Sequence, residues 1–327
     1  MPGRVRVPAV LVTVLEVWPV ANAVELEHVT KTFGAHRAVD GLDLVVPEGA
    51  ICGFIGPNGS GKTTTIRMIL RIFYPDAGTV RVLGLDHGTA ADDRIGYLPE
   101  ERGLYKKMRV RDMLIFYADL KGARNSRRRA DEWLERLGLA DWADRKVETL
   151  SKGMAQKVQF ISAVIAGPKL AILDEPFSGL DPVNMEALKD AVLWLRQSGT
   201  TVLFSTHDMD VAERMCDWIF MIYRGRRVLD GTLDAIQSRY GEDTIRVRTA
   251  RKNGALDDLP GVARVNDYGR YQELRMEPNA DAQQILAELV RRTRVEQFEI
   301  ARPSLHDIFV RIAGPEAARQ PREPADA

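Results

Sequence analysis

The hydrophobic pattern of the chain contains two kinds of predicted strand and one kind of predicted helix. Residues 24–29 and 38–46 alternate apolar with polar side chains, which predicts strands with one exposed face. Strands buried on both faces are predicted by the continuous apolar runs 50–55, 170–173 and 201–204. One apolar face at helical spacing recurs in the segments 111–117, 129–137 and 183–196. This order of elements indicates an α/β fold.

The character of the chain changes after Gly241. Strands are predicted at 244–249, 262–265, 271–276 and 295–300, and helices at 280–292 and 304–312. We therefore predict a large domain over residues 24–241, with a helical subdomain at about 100–165, followed by a small C-terminal α+β domain over 242–314. Residues 315–327 are rich in proline, alanine and charge, and we expect them to be disordered.

The clearest chemical motif joins the apolar run 50–55 to a predicted helix. Its residues are Gly56, Pro57, Asn58, Gly59, Ser60, Gly61, Lys62, Thr63 and Thr64. Glycines let the backbone wrap a polyphosphate, and the N–H groups at the helix start bind its charge. Lys62 is expected to reach the β- and γ-phosphates, and the Thr63 hydroxyl to hold Mg²⁺. The motif predicts a nucleoside triphosphate site, with ATP and Mg²⁺ as cofactors.

Acidic residues follow the apolar run 170–173. Asp174 is expected in the Mg²⁺ shell and Glu175 beside the attacking water, because phosphoryl transfer needs a metal and an aligned nucleophile. His207 ends the next predicted strand, and ligands collect at the carboxyl ends of such strands. Glu175 and His207 are therefore the catalytic candidates. The plain alternatives are an acidic pair in a solvated turn and an ordinary half-buried surface histidine.

A further predicted helix begins with the segment 151–154. Ser151 is either a simple helix N-cap or part of a second phosphate-binding helix start. It lies more than eighty residues after Lys62, beyond a helical insert that is longer than a simple crossover. Such a remote phosphate site is explained if it serves the ATP of a partner subunit.

Together these motifs resemble the ATP-binding subunits of ABC transporters, over about residues 24–241. The resemblance implies a P-loop NTPase fold of the ABC type, with a mixed sheet core plus the helical subdomain. It makes 151–154 the signature that contacts ATP across a dimer: Ser151, Lys152, Gly153 and Met154. Lys152 and Met154 depart from the family's usual glycine and glutamine. Asp181 falls in the D-loop.

Two more positions take their roles from the resemblance. Phe33 matches the aromatic residue that stacks on adenine, an interaction of about 1–3 kcal/mol that tolerates any base; an ordinary core aromatic is the alternative. Glu100 stands where the family usually has a glutamine near Mg²⁺. A carboxylate there could contact the metal, but it adds negative charge and donates no hydrogen bond.

The resemblance also implies partners. We expect a separate transmembrane permease, contacted near residues 100–108, and a second ATPase subunit, identical or related, in a head-to-tail dimer. The segments 99–105 and 302–309 look like the bacterial and archaeal branch associated with sodium or drug efflux, so export is favoured over import. Nucleic acid is not expected, because 46 basic and 46 acidic residues balance. A soluble ABC-type ATPase without transport, and a nucleotide-gated module with little turnover, are the rival hypotheses.

The N-terminal residues 1–23 imitate a secretory signal, with Arg4 and Arg6 before an apolar stretch. Glu16 and Pro19 interrupt that stretch, so a disordered leader or a mis-called start codon is preferred. No run of eighteen uncharged apolar residues occurs, so the chain is not expected to span a membrane. The predicted location is cytoplasmic and peripheral, on the inner face of the plasma membrane.

Overall fold

The computed structural model describes these stretches of the chain: 21–86, 93–101, 103–240, 244–250, 256 and 258–317. Side chains are described as far as residue 314. The predicted leader therefore lies almost wholly outside the described residues, as do residues 318–327 of the predicted tail.

The described residues form fourteen strands. In chain order they are β1 Asn22–Phe33, β2 His36–Pro47, β3 Ile51–Ile55, β4 Ala77–Val82, β5 Leu85–Asp86, β6 Ile95–Leu98, β7 Leu170–Asp174, β8 Thr201–Thr206, β9 Trp218–Tyr223, β10 Arg226–Gly231, β11 Thr244–Thr249, β12 Val262–Asp267, β13 Gln272–Met276 and β14 Val295–Ala301.

Helices connect these strands. They are α1 Lys62–Ile69, α2 Val110–Leu120, α3 Ser126–Arg136, α4 Lys152–Val164, α5 Pro182–Gln197, α6 Met209–Met215, α7 Leu233–Tyr240, α8 Ala282–Arg292 and α9 Leu305–Ala317. In the part of the chain that the structure describes, no helix is long and apolar enough to cross a membrane.

A six-stranded sheet with the order β10-β9-β3-β8-β7-β6 forms the centre of the larger part. Neighbouring strands from β9 to β6 run parallel, and β10 is antiparallel to β9. Every residue of β3, β7 and β8 is buried, as the continuous apolar runs predicted. The carboxyl ends of these strands therefore meet at one edge of the sheet, which is where the candidate site lies.

Two other layers cover this sheet. The antiparallel sheet β2-β1-β4-β5 shares a hydrophobic cluster with α1 and with one face of the central strands. Helices α2, α3 and α4 lie between β6 and β7 in the sequence and share the cluster of the other face. Three α-helices thus lie between these two strands of the central sheet.

The C-terminal residues form a separate antiparallel sheet with the order β12-β13-β11-β14. Helix α8 packs against it, and a hydrophobic cluster of its own includes Val247, Leu274 and Leu289. The predicted strands and helices of this part are confirmed. Helix α9 ends at Ala317, three residues beyond the predicted boundary at 314, and β1 begins at Asn22 rather than at residue 24.

Candidate nucleotide-binding site

The loop between β3 and α1 has a shape that only glycine allows at two positions. Gly56 has φ 157°, and a Cβ there would lie 2.3 Å from the carbonyl oxygen of Ile222. Gly61 has φ 107°, and its Cβ would lie 2.5 Å from the carbonyl oxygen of Ala38. Any side chain would therefore push the loop away from β9 or β2. The backbone turns tightly here and leaves the start of α1 open.

This loop lines a cavity of about 470 Å³. The predicted nucleotide-binding residues that line it are Phe33, Asn58, Gly59, Ser60, Gly61, Lys62, Thr63 and Thr64. Glu100 and Glu175 line the same cavity from other elements. His36 and Ala38 line it as well, and the sequence analysis missed them because no motif includes them.

Lys62 is buried beneath this cavity. Its Nζ atom donates hydrogen bonds to the carbonyl oxygens of Gly56 at 2.7 Å and Pro57 at 3.2 Å, and lies 3.8 Å from Glu175 Oε1. Burial lowers the pKa of Lys62, while the negative charges of Glu175 and other acids oppose that shift. Gly56 and Pro57 thus hold the lysine, whereas Asn58 and the residues after it face the cavity.

Asp174 and Glu175 are joined by a serine that the sequence analysis did not single out. Ser205 Oγ donates to Asp174 Oδ1 at 2.5 Å and accepts from Glu175 N at 2.9 Å. The parallel register of β7 and β8 pairs Asp174 with Ser205, so strand order brings these residues together. Ser205 lies two residues before His207 in the sequence. Its contacts with Asp174 and Glu175 arise only because β7 is the neighbour of β8 in the sheet.

The second oxygen of Asp174 fits a cation ligand. Asp174 is 1% exposed, and its Oδ2 atom is buried without a hydrogen-bond partner among the described residues. An unpaired buried carboxylate oxygen is costly, and a hydrated Mg²⁺ would satisfy it. The described residues form no cluster of three or more acidic, histidine or cysteine ligands. Mg²⁺ commonly needs only one or two carboxylates when phosphates and waters complete its shell.

Glu175 and His207 are in contact. His207 Nδ1 lies 3.1 Å from both Oε atoms of Glu175. Glu175 is buried, whereas the His207 side chain is 56% exposed, so the histidine covers the carboxylate on the solvent side. Glu175 also has φ 48°, a left-handed conformation that is unfavourable for a non-glycine residue. Backbone strain of this kind is often found at functional sites.

Glu100 lies on a loop that is fastened to α4. Gln159 Nε2 donates to the carbonyl oxygens of Pro99 at 3.2 Å and Glu101 at 2.9 Å. The loop backbone on both sides of Glu100 is therefore tied to the helix that begins after Ser151. Glu100 lies on the wall of the cavity, and its place near the metal stays a prediction.

Phe33 stands at the rim of the cavity. It is 44% exposed, so the alternative of an ordinary core aromatic is wrong. Its ring makes an edge contact with Phe73 at 5.4 Å, and Lys31 Nζ lies 5.6 Å from the ring centre. The exposed part of the ring is available to a ligand in the cavity.

The signature residues lie together at the start of α4, apart from this cavity. Ser151 is the N-cap of α4, and its hydroxyl accepts from Met154 N at 3.2 Å. Gly153 lies against α5, where an added Cβ would be 2.8 Å from Asn184 Nδ2. Asp181 caps α5 by accepting from Asn184 N at 3.0 Å. None of the signature residues, including Lys152, nor Asp181, is among the described residues that line the cavity of Lys62.

Taken together, the parallel sheet, the glycine-shaped loop at its edge and the acidic strand end define a P-loop nucleotide-binding fold. The sequence profile of the family described as "ABC transporter" matches residues 39–178. A second profile, described as "ATP-binding protein DrrA1-3-like, C-terminal domain", matches residues 231–313.

Individual proteins show the same similarity. The ABC transporter ATP-binding protein YhaQ of Bacillus subtilis is 43% identical over 291 residues, which cover 88% of this chain and 98% of YhaQ. The daunorubicin resistance ATP-binding protein DrrA3 of Streptomyces coeruleorubidus is 35% identical, covering 90% of this chain and 96% of DrrA3. A dimeric ATP-binding cassette structure bound to ADP and Pi superimposes with TM-score 0.59 and 26% identity, covering 64% of this chain and 98% of that one. The chain therefore belongs to the ATP-binding proteins of ABC transporters, and it is an ATPase of that family.

Proposed function

We propose that this chain hydrolyses ATP at the described cavity and that two such subunits, closing head to tail on ATP, drive export through a separate permease. The observation that carries the proposal is the group of Lys62, Asp174, Glu175 and His207 at one edge of the sheet. Lys62 and the loop amides bind the phosphates, and Phe33 stacks on the base. This arrangement supplies charge neutralisation and a positioned base, the two requirements of phosphoryl transfer.

Each acidic residue has its own part in the proposed reaction. Thr63 and Asp174, with Glu100 nearby, would hold Mg²⁺, which neutralises phosphate charge when bound. Glu175 accepts a proton from the attacking water, and His207 holds the carboxylate in place. The contact between Lys62 and Glu175 separates when phosphate arrives, because the lysine then has a closer anion to bind.

The signature completes the site from the other subunit. Ser151, Lys152, Gly153 and Met154 begin a helix whose N–H groups would face the γ-phosphate of a partner's ATP. Asn184 lies against Gly153 and donates a hydrogen bond to Asp181. Asp181 therefore lies close to the signature and would enter the same interface. The head-to-tail arrangement is supported by two observations: these residues are not among the described residues that line their own cavity, and a cassette of similar fold is dimeric.

Export is supported by relatives and by the C-terminal part. DrrA3 is described as a daunorubicin resistance protein, and the DrrA-like C-terminal profile matches this chain. The permease would bind the helical region, where the exposed rings of Tyr105 and Phe116 contact the partly buried ring of Tyr117, with ring centres about 6 Å apart. Leu120 continues this surface and is 68% exposed. The subunit would then lie on the cytoplasmic face of the membrane.

The variant Glu175→Gln tests the proposal. We expect ATP binding to be retained while hydrolysis falls by about 10²–10⁴, the usual contribution of a positioned base. Calorimetry with ATP and Mg²⁺ measures the first quantity and phosphate release the second. Glu186→Gln is a matched control, because Glu186 is an exposed acid that pairs with Lys189 on α5. Hydrolysis at the original rate by Glu175→Gln would remove Glu175 from its role.

Coupling to transport needs a separate test. Phosphate release is measured with the chain alone and with a permease reconstituted in vesicles. We expect stimulation by the permease, and its loss in Phe116→Asp with basal hydrolysis unchanged. Equal rates with and without the permease would favour the rival hypothesis of a soluble ABC-type ATPase.

A further inference from the structure

The short helix α6 carries the connection between His207 and the C-terminal part of the chain. His207 lies between β8 and α6, and Asp208 caps the helix by accepting from Val211 N at 3.1 Å. Asp208 N in turn donates to Thr206 Oγ1 at 3.0 Å. His207 directly follows β8 and directly precedes the N-cap of α6, so a rotation of α6 would move the backbone next to the imidazole.

Glu213, on α6, binds the beginning of α9. Its Oε1 atom accepts a hydrogen bond from the backbone N–H of Leu305 at 2.5 Å. Ser304 and Asp307 form a local capping pair, with Ser304 Oγ donating to Asp307 Oδ2 at 2.6 Å. That pair leaves the Leu305 N–H to be satisfied from elsewhere, and a carboxylate at a helix N-terminus is electrostatically favoured. Glu213 thus fastens α6 to a helix ninety-two residues away.

The same two helices also meet through apolar side chains. Leu305 and Ile308 of α9 are fully buried in a cluster with Ala212 of α6 and with Ile55, the last residue before the phosphate loop. The ring of Phe309 makes an edge contact with Tyr223 at 5.8 Å. Apolar contacts hold the helices together but are not directional. The Glu213 hydrogen bond is directional, so it specifies how α6 is rotated against α9.

Stability alone does not explain an acidic residue at the position of Glu213. Burial raises its pKa, and the nearby acids Asp210 and Asp307 act in the same direction, while the Leu305 N–H and Arg246 oppose them. An acid in surroundings that disfavour its charged form is a reason to look for a functional role.

We propose that Glu213 is a positioning residue for ATP hydrolysis: it holds α6 against the N-terminus of α9 and thereby keeps His207 in contact with Glu175. The C-terminal part then acts on the reaction through one hydrogen bond. This inference rests on the proposed role of His207, and the experiment below separates the two.

Two substitutions of Glu213 in the full chain test the inference at 25 °C. Glu213→Leu removes the acceptor and keeps a side chain of similar volume, whereas Glu213→Gln keeps an acceptor oxygen. We expect kcat to fall about 10- to 100-fold in Glu213→Leu, the effect of a small displacement near the reacting atoms. The KM for ATP should stay within about twofold, because Glu213 does not touch the cavity. Glu213→Gln should keep kcat within about threefold of the original.

Asp234→Asn is the matched control. It weakens the ion pair between Asp234 Oδ1 and Arg302 Nη1 at 2.7 Å, another link between the C-terminal part and the rest of the chain that does not involve α6. We expect its kcat to be unchanged. A fall in Asp234→Asn equal to that in Glu213→Leu would show general loosening of the C-terminal part and would overturn the inference.

A double-variant cycle with His207→Ala completes the test. If Glu213 acts through His207, Glu213→Leu should have no further effect on kcat in the His207→Ala background. Unchanged kcat in His207→Ala alone would contradict the proposed role of His207. A large fall in His207→Ala with none in Glu213→Leu would contradict only the role of Glu213.

Circular dichroism and thermal unfolding check that each variant is folded. Glu213→Ala is added as a second variant that removes the acceptor. A loss of kcat that Glu213→Gln shares fully would contradict the hydrogen-bond mechanism. Failure of both Glu213→Leu and Glu213→Ala to fold would make Glu213 a folding residue and would also overturn the inference.

Discussion

At the scale of single residues, the site depends on charged side chains that the protein itself buries and holds in place. Lys62 is held by two carbonyl oxygens and faces Glu175, so its ammonium group is already placed and partly freed from water. Burial lowers the pKa of Lys62, and the negative charges of nearby acids oppose that shift. A phosphate would therefore meet a preorganised cation rather than a mobile, hydrated one.

Lys62→Ala should weaken ATP binding about 10- to 100-fold, because hydrogen bonds to charged groups contribute roughly 1.5–3 kcal/mol. Calorimetric titration with ATP and Mg²⁺ measures this change. Lys146→Ala is the control, since Lys146 is exposed on the helical region and pairs only loosely with Glu148 at 3.8 Å. An unchanged dissociation constant for Lys62→Ala would mean that the lysine does not contact the nucleotide.

At the scale of elements, the position of the phosphate loop depends on strand β3, which directly precedes it. Strand β3 is buried on both faces, and helix α6 packs closely against it. Gly53 has no side chain where Cys216 approaches, and a Cβ at Gly53 would lie 2.5 Å from Cys216 Sγ. The two cysteines are free thiols, and burial raises the pKa of both, so Cys52 and Cys216 act as small core residues.

Gly53→Ala should lower the free energy of unfolding by about 1–3 kcal/mol, because a methyl group would overfill this contact. Cys216→Ala in the same chain should recover much of that loss, because it removes the obstructing sulfur. Denaturant titration of the two single variants and the double variant measures the coupling. Gly103→Ala is the control, since among the described residues, its chain neighbours aside, no atom lies within 4 Å of its added Cβ. Strictly additive effects would exclude the contact as the cause.

Sequence reasoning found the long elements and missed some short ones, such as β6 and α6. The helices on either side of the signature have enough residues to show a helical period, and the buried strands β3, β7 and β8 appear as continuous apolar runs. Strand β6 has four residues and α6 has seven, which is too little for a hydrophobic pattern. Their positions are fixed by pairing with β7 and by packing against β3 and α9.

At the scale of the whole molecule, the residues implied in catalysis are divided between two places. The cavity gathers the phosphate loop and Glu175, while the signature helix begins elsewhere on the same subunit. A single subunit would therefore bind ATP without enclosing it. Closure of two subunits would complete both sites, and ATP can favour that state only because it contacts both halves there.

The variant Ser151→Asp tests this division in the Glu175→Gln background. Aspartate caps a helix as well as serine does, so the fold should be kept. Its charge would repel the γ-phosphate of the partner's ATP, so the ATP-dependent dimer should be lost while each subunit still binds ATP. Size-exclusion chromatography with light scattering measures the dimer. Ser151→Asn is the neutral control, and an intact dimer in Ser151→Asp would contradict the proposed interface.

The sequence alone determined the phosphate loop, the acidic strand end and the order of the main elements, because each depends on residues that are adjacent in the chain. Only the tertiary structure decided that Ser205 bridges Asp174 to Glu175, that Cys216 fills the space over Gly53, and that Glu213 binds the start of α9. Those contacts join residues far apart in sequence. They depend on which strands are neighbours and on how helices pack over them, which no local pattern specifies.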